Sequence, residues 1–189
     1  MHTHWIGERV AYDGSQLHSL FAYMNHGLLG DSLVAWRGSC DVSPRHMVDG
    51  EDLRANSAIR SDEMIHFILE KFDCSLLAAV ALQRLLATVA RECLVELAEP
   101  NTHAIELRRQ GDDLYLGERK LSVSIATVSP VSALIHFAVN ITNSGTPVPT
   151  LALEDLKVNP EIFASQVMRM FSQEVASIVD ATRKVFGVK

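Results

Sequence analysis

At 189 residues the chain is long enough to fill one hydrophobic core and too short for two comfortable domains. Apolar residues make up 48% and charged residues 21%, a globular composition that excludes a disordered chain. The formal charge of −6, with no long run of like charge, argues against wrapping nucleic acid through its phosphates and against a basic membrane-binding segment. Cys40, Cys74 and Cys93 are odd in number and none has CxxC spacing, so a reduced, cytoplasmic setting is expected. The N-terminal "MHTHWIGERV" lacks the apolar stretch of a signal peptide. The tightest apolar run, "CSLLAAVALQRLLATVA", is broken by Gln83 and Arg84 and is too short to span a membrane.

In chain order, Ser15 is expected to cap a first helix, "SQLHSLFAYMNHG", stopped by Gly27. A short strand, "DSLVAWRG", follows. The polar segment 39–63 then runs too long without periodicity for a plain connection, which marks it as functional or disordered. "EMIHFILEKF" has the β-branched and aromatic content of a strand. "SLLAAVALQRLLATVARECLVELA" reads as a helix with one polar stripe (Arg84, Thr88, Arg91, Glu92, Glu96), apolar enough elsewhere to be central to the core. From His103 to Ile141 the period changes to two, in "HAIELRR", "DDLYLGERKLSVSIATV" and "ALIHFAVNI". Irregular chain follows Pro149. A last amphipathic helix, about 161–186, has an apolar face of Phe163, Val167, Met170, Phe171 and Ile178. Strands and helices that do not alternate strictly predict an α+β fold, a mostly antiparallel sheet with helices packed on it, in a single domain over 1–189.

The strands around Lys120 carry an unusual set of polar residues. In "KLSVSIAT", Lys120, Ser122, Ser124 and Ala126 share a face; in "IHFAVNI", His136, Ala138 and Asn140 share one. With Pro130 as the pivot of the turn, Ser124 is expected opposite His136 and Lys120 opposite Asn140, so that both polar sets fall on one side. That face is either solvated, as one face of an antiparallel pair often is, or the floor of a ligand cradle, with small residues leaving room and polar ones giving orientation. Between Ser122 and Asn140 it carries no charge beyond that of His136, which tilts the reading toward a cradle.

"GDDLYLGERKLSVSI" followed by "IHFAVNI" resembles the catalytic core of the biotin and lipoate protein ligases, where W-P-N-D-[ILV]-x-[VL]-x-G-[KR]-K-[LI]-[AS]-G-I-L precedes a strand ending G-I-N-[VL]. Gly117 and Lys120 stand at that Gly and second Lys, Leu121 and Ser122 at [LI]-[AS], and Asn140 at the Asn. The resemblance covers about residues 30–145. It implies a class II synthetase-like, biotin/lipoate ligase-like core in which Lys120 contacts the carboxylate of a bound acid or its acyl-adenylate. Arg37, Ser39, His46 and Asp49 fall loosely where lipoate ligases carry R-R-x-S-G-G-G-x-V-x-H-D. The whole chain, through "YDGSQL", "GDSLVAWRG", "HMVD" and "SDEMIHFILEKFD", is more similar still to an uncharacterised family with archaeal members and the same ligase-like fold. The sequence departs from the ligases in two ways. "SCDVSPRH" has no Gly-Gly pair, and Val123 replaces the glycine after [AS]. No cysteine follows Cys93, which excludes the cysteine nucleophile of the octanoyl transferases that share this fold.

The resemblance thus implies an acyl-adenylate-forming transferase, or a non-catalytic module that kept the scaffold. The expected ligand is a small carboxylic acid lying over the hairpin. Lys120 is the candidate catalytic residue, and Asp113, Ser122, Ser124, His136, Asn140, Arg37 and His46 are candidate ligand-binding residues. ATP and Mg²⁺ are the co-substrates implied, with Asp113 holding a ribose or the metal. No resident metal is expected: the eight histidines show no HxxxH or Cys/His spacing, and His2 and His4 are placed on a flexible N-terminus. A homodimer paired through sheet edges is a further expectation from related folds.

Overall fold

The computed structural model describes residues 1–188. Its centre is a five-stranded sheet of β1 (His2–Arg9), β2 (Ser32–Asp41), β3 (Arg60–Phe72), β8 (Ser132–Asn140) and β7 (Ser122–Val128), in that spatial order. Only β1 and β2 pair in parallel; the other three ladders are antiparallel. A three-stranded antiparallel ribbon, β4 (Arg108–Gln110), β5 (Asp113–Leu116) and β6 (Arg119–Lys120), flanks it. The architecture is therefore α+β with a mostly antiparallel sheet, as the run of strand patterns predicts.

Two long helices cover one face of the sheet. In α3 (Leu76–Leu97) the Ser75 hydroxyl accepts from the Ala78 N–H, satisfying one of the orphan donors of the first turn. Ala79, Leu86, Ala90, Cys93 and Leu94 recur at helical spacing and are buried. α5 (Pro160–Arg183) is capped by Asn159, which accepts from Glu161 and Ile162, and has Pro160 in its first turn, where no N–H is missed. Its Phe163, Val167, Phe171 and Val175, spaced by four, meet Leu33, Ala35, Phe67 and Phe137 on the sheet. Phe67 and Phe163 pack edge to face with centroids 6.2 Å apart. Each such buried side chain stabilises the fold by about 1.5–3 kcal/mol.

The opposite face has no long helix over it. It is covered by the 10–20 segment, α1 (Phe21–His26) and the 42–59 segment, which includes α2 (Gly50–Ala55). α1 is shorter than expected. Ser15 bonds to Asp13 in a turn instead of capping a helix, and Leu20, in the left-handed region at φ 64°, donates its N–H to the buried Glu70 carboxylate at 2.9 Å. A tertiary acceptor therefore sets the helix start, while Gly27 ends it as expected. Within 39–63, β2 and β3 run further than their patterns suggest, and Asp49 caps α2 by accepting from Glu51 and Asp52. The N-terminus is not loose, since His2–Arg9 pairs with β2. "HAIELRR" is mostly 3-10 turns rather than strand, and a short α4 (Leu153–Leu156) interrupts the chain after Pro149. Ile178 is 40% exposed and lies off the buried face of α5, where Ala164 and Met168 are buried instead.

The largest correction concerns register. β7 pairs with β8 so that Ser122 faces Val139, Ser124 faces Phe137 and Ile125 faces His136, one residue from the expected pairing. The turn closes from Ser129 to Ser132, whose backbone N–H···O distance is 2.7 Å, so its centre lies between Pro130 and Val131 rather than on Pro130. A one-residue slip exchanges faces along a whole strand. Ser122, Ser124 and Ala126 thus lie with Phe137 and Val139 on the helix side, while Val123 and Ile125 join His136, Ala138 and Asn140 on the other.

Candidate functional site

The loop-covered face of the sheet encloses two cavities that meet at Lys120 and Val123. The larger, about 300 Å³, has Val123, Ile125 and His136 as floor, Tyr12 at one side, and the 42–59 segment opposite. The smaller, about 210 Å³, is bounded by Met64, Val123 and Asn140 below and by Ala58, Ile59 and Pro147. Concave, part-apolar spaces with a few fixed polar groups are what small-molecule sites look like.

Lys120 sits on the rim because β6 follows the tight turn at Gly117, whose φ of 61° suits a residue without a Cβ. Its Nζ lies 2.7 Å from Asp113 Oδ2, with both side chains partly shielded from solvent. Burial lifts the Asp113 carboxyl above its ordinary value, against the pull of Lys120. On Lys120 burial works the other way and is outweighed by Asp113, so the amine is raised and keeps its proton. Asp113 Oδ1 is buried without a hydrogen-bond partner among the described residues and presents no surface to the cavity. Five carboxylates, Asp49, Glu51, Asp52, Asp112 and Asp113, border the larger cavity against this one ammonium. A bare polyphosphate would meet net repulsion there.

The remaining candidates divide into two groups. His136 lies in the floor, and His46 borders the same cavity while its Nδ1 stands 3.1 Å from the Asp13 carbonyl. Asn140 borders the smaller cavity; its Nδ2 donates to the Lys120 and Leu151 carbonyls at 3.3 and 3.2 Å, leaving Oδ1 free of any bond among the described residues. Ser124 touches the larger cavity, yet its hydroxyl donates to the His136 carbonyl and accepts from Gln83, both at 2.9 Å. Ser122 accepts from the Leu114 N–H at 2.9 Å and holds β5 to β7. These serines position strands. Arg37 is elsewhere: it shares the helix side with Leu33 and Ala35, and its Nε donates to Glu63 at 2.7 Å, which raises its pKa.

Sequence reasoning missed Tyr12 and His66, both sealed beside His136. It also missed Gln83, which ties Ser124 to Asp112 from α3. A lone polar residue on an otherwise apolar helix face was the available signal for Gln83. Nothing local singles out Tyr12. Gly38, the one glycine near the missing Gly-Gly pair, does not cradle a ligand: a Cβ there would stand 1.8 Å from the Val10 carbonyl, so its bareness serves the close approach of 10–11 to β2. Among the described residues no cluster of three or more His, Cys, Asp or Glu is placed to hold a metal, and no helix is long and apolar enough to cross a membrane.

Comparison with known proteins sets this geometry in context. The family described as Domain of unknown function (DUF366) matches residues 1–186. The uncharacterized protein MJ0805 of Methanocaldococcus jannaschii is 33% identical over 182 residues, covering 93% of this chain and 78% of that protein. A protein of unknown function from Pyrococcus horikoshi is similar in structure, with a TM-score of 0.92 and 41% identity, over 99% of this chain and 98% of its own. A point mutant of the biotin protein ligase of Aquifex aeolicus, in complex with biotin, superposes at a TM-score of 0.60 and 13% identity, over 93% of this chain and 70% of its own. At that identity the likeness is one of fold, shared with biotin and lipoate protein ligases.

Proposed function

We propose a function from one premise: the chain belongs to the DUF366 family and has the fold of the biotin and lipoate protein ligase catalytic core. It binds a small carboxylic acid, or the adenylate of one, in the paired cavities, with Lys120 at the carboxylate. The observation that carries this reading is the Lys120–Asp113 pair at the junction of the two cavities. An ammonium held charged and partly desolvated attracts an incoming carboxylate more strongly than a solvated one would. The cavities then take an apolar acyl portion between Val123, Ile125 and Leu17.

A nucleotide fits these residues only in part. Lys120 suits a phosphate, but Asp113 Oδ1 is sealed away from any cation it would bring, and the acidic rim, the Val123 side chain and the packed Gly38 leave no backbone cradle like that of a glycine-rich loop. Those three features favour a second reading, a ligand-binding module that kept the ligase scaffold without acid activation.

Thermal melting of the wild type and Lys120→Ala with octanoate and related acids, each with and without Mg-ATP, tests the proposal. A ligand at 100 times its Kd stabilises the wild type by about 2.7 kcal/mol, and this gain disappears in the variant. No shift with any acid, or the same shift in both proteins, overturns it. Pyrophosphate release that requires both the acid and Mg-ATP selects the enzyme over the module.

A further inference from the structure

Three polar rings lie sealed in the loop-side face. Tyr12 and His136 are each 3% exposed and His66 is wholly buried. Tyr12 stacks on His136, centroids 3.8 Å apart and planes 10° from parallel. His66 Nε2 stands 3.3 Å from the Gly38 carbonyl, and His66 Nδ1 stands 3.1 Å from His136 Nε2. Burial keeps both imidazoles neutral, pushing His66 down to about 4 and His136 well below its ordinary value; a charge on His66 would oppose one on His136 further.

These contacts leave one arrangement of protons. A carbonyl only accepts, so His66 Nε2 carries the hydrogen. A neutral imidazole has a single N–H, so His66 Nδ1 must accept and His136 Nε2 must donate to it. The reverse tautomers would set a bare lone pair against the Gly38 oxygen. His136 Nδ1 is therefore an acceptor with no proton of its own. It makes no hydrogen bond among the described residues, and it is not one of the sealed unpartnered atoms, which are Ser32 Oγ, Ser61 Oγ and Asp113 Oδ1. It touches open space, and the space beside His136 is the larger cavity.

We infer that the occupant of that cavity presents an N–H or O–H donor to His136 Nδ1, and so is an acid carrying a hydrogen-bond donor in the part remote from its carboxylate. Ile125, the strand partner of His136, stands five residues beyond Lys120, roughly 16 Å along extended chain, part of which the lysine side chain spans. A medium-length acid suits the remainder. Ile125, paired with His136, is apolar, as are Leu17 and Val42 of the same cavity, whereas a donorless acyl chain would leave the acceptor unpaired. The inference rests on the acid-binding reading for its lysine end and on the histidine pair alone for its donor end.

The test uses the 189-residue chain labelled with ¹⁵N-histidine, and three probes: octanoate, ω-hydroxyoctanoate and 1-octanol. In the free protein the long-range ¹H–¹⁵N spectrum should show His136 protonated at Nε2 and bare at Nδ1. ω-Hydroxyoctanoate should move the Nδ1 resonance and bind about tenfold more tightly than octanoate. That preference should vanish in His136→Phe, while the wild-type spectrum stands whether or not the variant folds. A proton on Nδ1 in the free protein overturns the inference. So does equal binding of the two acids, lost together in Lys120→Ala, which would leave acid binding intact. If 1-octanol moves Nδ1 and no acid binds through Lys120, the donor site stands and the acid reading falls. If no probe moves Nδ1, the donor site falls.

Discussion

The two faces of the central sheet come from the same five strands and could hardly differ more. On the helix side, α3 and α5 press Phe67, Phe137, Phe163 and Phe171 into continuous apolar contact. On the loop side, the same strands send out Trp36, His66, Glu70, His136 and Asn140, and the cover of short turns leaves two cavities over them. A long amphipathic helix brings an apolar stripe that fills a sheet face densely. A turn-rich cover brings backbone polar groups and irregular shape, so hydrogen-bonding side chains and hollow space persist. Dense apolar packing is concentrated on one face, and hollow space with polar side chains on the other.

Three experiments can break or sharpen that division. Phe163→Ala empties the centre of the helix-side core and should cost about 3–5 kcal/mol in urea unfolding. Any ligand response of the fraction still folded should be unchanged; a specific loss of binding would show that the two faces are not independent. Next comes acid. His66 and His136 have folded-state pKa values below their unfolded ones, so the stability they contribute is fully present above about 6.5 and is lost as pH falls toward about 4. For His66 the loss should be about 3 kcal/mol, since it must charge without solvent. Unfolding curves from pH 7.5 to 4 should show this decline, and replacing the pair, as in His66→Leu with His136→Phe, should flatten it. An unaltered slope would mean that carboxylates, not the ring pair, set the acid limit. The smallest effect belongs to Arg37→Ala. Glu63 keeps its second partner, Arg9, at 2.6 Å, and the pair is partly exposed, so the cost should stay below about 1 kcal/mol with acid binding unaffected. A drop in binding would put the helix-side rim into the site after all.

Much of the helix side was legible in the amino-acid order. The apolar stripe of α3, the amphipathic pattern of α5 and the strand character of β3 and β8 are local signals, each carried by a few neighbouring residues. The loop side was legible only in pieces. His136, Asn140 and Lys120 were identifiable as polar residues in strand patterns, and Asp113 as the acid beside the Lys120 hairpin. Tyr12, His66 and Gln83 were not, because their significance depends on partners 124, 70 and 41 residues away.

By itself, the amino-acid order determined the two long helices and the main strands of the central sheet, that strands alternate faces, and that the segment around Lys120 is ligase-like. Tertiary structure alone decided which face each strand presents. The period of two defines two faces but does not say which one meets the neighbouring strand's polar set. A turn centred between Pro130 and Val131, rather than on Pro130, moved Ser122 and Ser124 behind the sheet and Val123 and Ile125 into the floor of the cavities. Half a residue at the centre of a turn is one full residue of register, and one residue of register exchanges the two sides of a strand.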